Sequence, residues 1–86
     1  MIYTEKEALQ FIKDLHQNNL LLNGENLYDE DVMEIFTKKI INNIDKNIIR
    51  IFYGGGNKEF EDIMNEECGE YIWEIIDEAQ HIIENL

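Results

Sequence analysis

From Phe60 to Leu86 an apolar side chain returns every three or four residues: Phe60, Met64, Cys68, Tyr71, Ile75, Ala79, Ile82 and Leu86. That step is the period of an α-helix and sets all of them on one stripe. Ile63, Ile72, Ile76 and Ile83 widen the stripe, and a stripe that broad has to be covered by other elements. The chain has no proline to interrupt a helix. The pattern predicts one helix from residue 58 to about 85, capped by Asn57 and bending at Gly69. The preceding segments must supply its cover.

Thr4 to Glu7 reads as a capping box, a hydroxyl followed three residues later by a glutamate. Ala8, Phe11, Ile12 and Leu15 follow at helical spacing, which predicts a helix over residues 4–17. Asn18 to Asn26, with Asn23-Gly24, reads as a loop whose Leu20, Leu21 and Leu22 pack back on the core. Asp29 suits the cap of a second helix. Val32, Phe36, Ile40 and Ile44, with Met33 and Ile41 beside them, carry it to at least Asn43. Ile48, Ile49, Ile51, Phe52 and Tyr53 favour a helix or irregular turn. Their β-branched and aromatic character leaves a strand as the alternative. A strand needs a partner for its backbone groups, and Leu20–Leu22 is the only candidate. Gly54, Gly55 and Gly56 form a break, with one glycine expected as a left-handed C-cap. They are not a phosphate loop, since no GxxxxGK[ST] pattern is present. The expected fold is all-α or nearly so: a small three- to four-helix bundle, with a short strand around residues 48–53 as the variant. Residues 1–86 form a single acidic helical domain.

Size and charge narrow the function. Eighty-six residues suffice for one modest core. Cys68 is the only cysteine, so neither an intramolecular disulfide nor a cysteine zinc site can form. The start lacks the basic and apolar regions of a signal peptide, and no apolar run reaches the roughly 20 residues of a bilayer span. The expectation is a cytoplasmic protein without a membrane contact. The net charge is −12, which repels nucleic acid and anionic membranes and attracts basic partners. The charge is also segregated. Residues 38–58 carry one acid and five bases, whereas residues 59–86 carry ten acids and no lysine or arginine. Like charges four residues apart disfavour a helix slightly, so a single-sign segment suggests a field that is used.

On a helical wheel Glu66, Glu70, Asp77 and Glu84 lie opposite the apolar stripe, and Trp73 falls between Glu70 and Asp77. An indole among carboxylates suits an anchor for a basic partner; the alternative is packing against the first helix. Phe52 and Tyr53 are a second aromatic anchor if exposed and core if buried. Glu30, Asp31 and Glu34 at the start of the second helix extend the acidic face. Glu67 and Glu70 form an ExxE, and Glu74 and Asp77 an ExxD. Helical nucleotide pyrophosphohydrolases hold magnesium with such motifs on separate, converging helices. Here both lie on one helix, with no lysine or arginine nearby for a phosphate. His16 and His81 are lone histidines that read as surface residues, and Cys68 reads as core. Nothing assembles a nucleophile, base and oxyanion donor. No catalytic residues, metal site or cofactor are therefore expected.

Tyr3-Thr4-Glu5-Lys6-Glu7 at the start, Asp31-Val32-Met33-Glu34-Ile35 in the second helix, Ile51-Phe52-Tyr53 about twenty residues later and Trp73 in the last helix form a series. Together they resemble the small acidic immunity proteins that neutralise colicin and pyocin nucleases. Gly54 stands where that family has a proline after its tyrosine pair. The resemblance implies a stoichiometric inhibitor that binds a basic nuclease, with Tyr53 and Phe52 added to the contact stripe of Glu66, Glu70, Trp73 and Asp77. Two other roles fit the same composition. One is a phage-encoded DNA mimic directed at a restriction or CRISPR nuclease. The other is a helical adaptor whose long apolar stripe pairs with a second copy as a homodimer.

Overall fold

The computed structural model describes residues 1–23, 30–63, 65–66 and 69–86. Within them the chain forms five α-helices: α1 (Glu5–Asn23), α2 (Glu30–Asn43), α3 (Lys46–Tyr53), α4 (Lys58–Ile63) and α5 (Tyr71–Glu84). The expected all-α bundle is the observed fold. No strand occurs among the described residues, only an isolated parallel bridge between Ile2 and Ile44.

Thr4 opens α1 as its spacing predicts, its hydroxyl accepting from the Glu7 N–H at 3.3 Å. The helix buries Ala8, Leu9, Ile12 and His16, with Phe11 and Leu15 half-buried. It does not stop at residue 17 but continues through Asn18 to Asn23. Asparagine is only mildly unfavourable inside a helix and the leucines that follow are strong formers, so the polar pair is too weak a signal to end it. The side-chain packing of Leu20–Leu22, the Asn23-Gly24 turn and the Asp29 cap lie outside the described residues.

α2 turns Phe36, Thr37 and Ile40 to the core. Beyond it the chain bends at Ile44, where Ile2 lies alongside. The Ile2 N–H donates to the Asn43 carbonyl at 2.6 Å and the Asp45 N–H to the Ile2 carbonyl at 2.8 Å. The first residues are thereby pinned to the α2–α3 corner. Asp45 caps α3 through the Asn47 N–H. The strand alternative for residues 48–53 is overturned: with a cap in place and no neighbouring strand, these residues satisfy their backbone as a helix. Ile48, Ile49 and Phe52 then share its inner face.

The glycine run closes α3 with a Schellman motif. Gly54 is the C-cap, and the Gly55 and Gly56 N–H groups return to the carbonyls of Phe52 and Ile51. Gly55, at φ 75°, is the left-handed residue. Asn57 caps α4 as expected, accepting from the Phe60 N–H at 2.9 Å, and its amide donates to Glu5 at 2.7 Å, which ties this corner to the start of α1.

The predicted single helix from 58 to 85 is interrupted: α4 ends at Ile63, residues 65–66 are wound as π-helix, and α5 begins at Tyr71. Gly69 has φ 84°, a left-handed conformation that cannot continue a right-handed helix. The apolar period survives the break because each part keeps its own inward face. Phe60 and Ile63 point inward from α4, and Tyr71, Ile72, Ile75, Ile76, Ala79 and Ile83 from α5. α5 is the central element, packed on both α2 and α3. Cys68 and Met64 lie outside the described residues, and Leu86, read as part of the stripe, is exposed. His16 departs from its expected surface position. It is buried against α5 and hydrogen-bonded to the Tyr71 hydroxyl, a partner 55 residues away that no local pattern announces. His81 is exposed.

Candidate acidic groove

α2 and α5 pack along their buried stripes and leave a groove of about 680 Å³ between their outer edges. The position of each wall follows from helical periodicity. On α2, Phe36 and Ile40 face the core, the buried Thr37 stands at its edge, and Glu30, Met33, Glu34 and Lys38 sit one step round and line the groove with it. On α5, Ile75 and Ile82 stand at the edge of the apolar stripe, and Glu74, Asp77 and Glu78 form the next row outward. The floor is aliphatic, from the half-buried Met33 and Ile82, with Ile75 fully buried beneath them. The rims carry five carboxylates against one ammonium group. That ammonium, on Lys38, pairs with Glu34 one turn earlier at 3.0 Å. With both side chains about two-thirds exposed, such a pair contributes little and leaves Glu34 available to another cation.

The groove joins three of the residues singled out from sequence, Glu30, Glu34 and Asp77, and leaves the others elsewhere. Asp31 is exposed in the first turn of α2 but does not line it. Glu70 is the exposed N-cap of α5, and Glu66 is exposed between α4 and α5. The break at Gly69 explains the dispersal: one wheel drawn through residues 58–85 assumes a continuous axis, and Glu66 is not on the axis of α5.

Going round α5 at about 100° per residue, Ile82, Glu78, Glu74, Asp77 and Trp73 follow in order away from the floor. Trp73 therefore occupies the shoulder opposite the groove. It is half-buried and meets Phe60 of α4 edge-on, with ring centroids 5.8 Å apart. This ring contact sets it against α4. Phe52 is fully buried and has no surface to offer a partner, which corrects its assignment as an anchor. Tyr53, next to it, is 46% exposed at the end of α3. The two separate because neighbours on a helix point about 100° apart.

Sequence reasoning overlooked Glu78 and treated Glu74 only as half of a metal motif. Their positions beside Ile75 and Ile82, at the edge of the apolar stripe, were the available signal. Among the described residues no group of three His, Cys, Asp or Glu side chains is placed to hold a metal ion, and no helix is long and apolar enough to cross a membrane. Comparison with protein-family models, with curated proteins and with solved structures finds no match to this chain.

Proposed function

We propose that the protein is a non-catalytic inhibitor that binds a basic, nucleic-acid-acting protein, in the manner of an immunity protein or antitoxin, and that the α2–α5 groove is its principal contact face. The observation that carries this reading is the convergence of Glu30 and Glu34 from one helix with Glu74, Asp77 and Glu78 from another around an aliphatic floor. The carboxylates would draw a nuclease's phosphate-binding surface into encounter, and burial of the floor would slow release. The resemblance to nuclease immunity proteins supports the same partner class and adds Tyr53 as a second, exposed contact.

The inhibitor reading is favoured over the self-association role by one observation. The stripe that a second copy would need is buried within the chain, with Ile72, Ile76 and Ala79 fully covered.

Affinity capture from the native cell tests the proposal, with nuclease activity of the captured fraction assayed before and after release in salt. The expected result is one basic protein whose nuclease activity is silent in the complex and returns on release. A captured partner without nucleic-acid chemistry, or a nuclease equally active in the complex, would overturn the reading.

A further inference from the structure

We infer that the α2–α5 groove is shaped to receive one short amphipathic helix, with aliphatic residues along one face and lysine or arginine on both flanks. This deepens the proposed function by naming the element of the basic partner that enters the site.

Length is the first argument. From Glu30 to Lys38 on α2 and from Glu74 to Ile82 on α5, each wall extends about 12 Å at roughly 1.5 Å per residue, two turns of helix. The rims also repeat with the helical period. Glu30 and Glu34 are one turn apart on one side, and Glu74 and Glu78 one turn apart on the other. Cations one turn apart on a docked helix can meet carboxylates on both rims at once. A third helix lying in the groove of two packed helices is also the arrangement by which bundles grow.

The chemistry of the walls favours a helix over the other shapes. Both walls are α-helices, whose interior N–H and C=O groups are already paired. An extended segment lying between them would find no edge to bond and would depend on solvent for its own backbone groups. A helix brings its backbone satisfied. Nucleic acid is repelled by the rims. Met33 on the floor is unbranched and adapts to the side chain it meets, while Ile82 across from it is half-buried and open to contact.

The probe is a synthetic peptide of about 15 residues, the length at which an isolated helix begins to hold. It is built of leucine, alanine and lysine, with leucines on one helical face and lysines on both flanks. A scrambled peptide of the same composition is the comparison. Both are titrated into the full chain, with methyl signals of Met33 and Ile82 followed by NMR. The expected result is saturable shifts at both methyls, with affinity about tenfold or more above that of the scrambled peptide. That affinity should also fall about tenfold or more in the Glu34→Lys, Glu78→Lys variant, whose remaining amide spectrum stays folded. Equal binding of the two peptides would reduce the groove to unspecific charge attraction and overturn the inference. So would shifts that bypass Met33 and Ile82. Concentration-dependent shifts of these methyls in the protein alone would assign the groove to a second copy and overturn it as well. The two levels of the argument fail separately. Peptide binding without a captured nuclease removes the inhibitor reading and keeps the groove, whereas a nuclease inhibited regardless of Glu34 and Glu78 does the reverse.

Discussion

Phe52 and Phe60 stack face to face across the glycine turn, ring centroids 4.4 Å apart and planes 9° from parallel. Both rings are fully buried. The contact locks α3 to α4, and Trp73 meets Phe60 edge-on. Phe52→Ala removes one ring of the stack and should destabilise the fold by about 3–5 kcal/mol. In a domain with a total of about 5–15 kcal/mol, urea denaturation should show a much lower midpoint. Phe52→Leu, which fills more of the space, should lose markedly less.

Trp73 is the only tryptophan, and its contact with Phe60 of α4 gives it a packing role. Trp73→Ala should lower the unfolding midpoint. Trp73→Phe keeps an aromatic ring against Phe60 and should leave both fold and partner affinity near those of the parent, measured by circular dichroism and by binding to the captured partner. A large loss of affinity in a fully folded Trp73→Phe would move the contact face from the groove to the opposite shoulder.

The hydrogen bond between His16 and Tyr71 joins α1 to the first turn of α5 inside the core. Tyr71→Phe retains the ring, which also packs edge-on against Phe36 at 6.0 Å, and deletes only the hydroxyl. The expected cost is about 1–2 kcal/mol, read as a shift of the denaturation midpoint without loss of helix signal.

Gly55 and Gly69 each adopt a left-handed conformation, at φ 75° and 84°. Alanine at either should cost about 1–2 kcal/mol from the backbone alone. Their surroundings differ. A Cβ at Gly69 would meet open space, whereas one at Gly55 would come within 3.1 Å of the Glu61 carboxylate. Gly55→Ala should therefore be the more damaging of the two, and shortening Glu61 to alanine in the same chain should recover part of the difference.

What could be read in advance was whatever the chain determines locally. The Thr4 and Asn57 caps, the core faces of α2 and α5 and the glycine stop after Tyr53 follow from side-chain chemistry within a few residues. Features set by distant contacts were hidden. His16 is buried because Tyr71 arrives to meet it, and Phe52 is covered while Tyr53 is not because α4 folds back on one side of α3. The break between α4 and α5 was half visible: Gly69 marked the place, but a regular apolar period runs equally well through a bend or a full interruption. The groove was legible only in part for the same reason. Glu30, Glu34 and Asp77 stood out as acids on helix faces, but which faces become neighbours is decided by how α2 packs on α5.

The measurement that tests the central claim most directly is the affinity of the captured basic partner for three versions of the protein, taken at low and moderate salt. These are the parent, the groove variant Glu34→Lys, Asp77→Lys, Glu78→Lys, and the control Glu66→Lys, Glu70→Lys, whose charges lie outside the groove. If the groove is the contact face, the first variant loses about a hundredfold or more in affinity together with most of the salt dependence, and the control changes by only a few-fold through its effect on encounter. Equal losses in the two folded variants would contradict the account, because they would show that the partner responds to total charge and not to this surface.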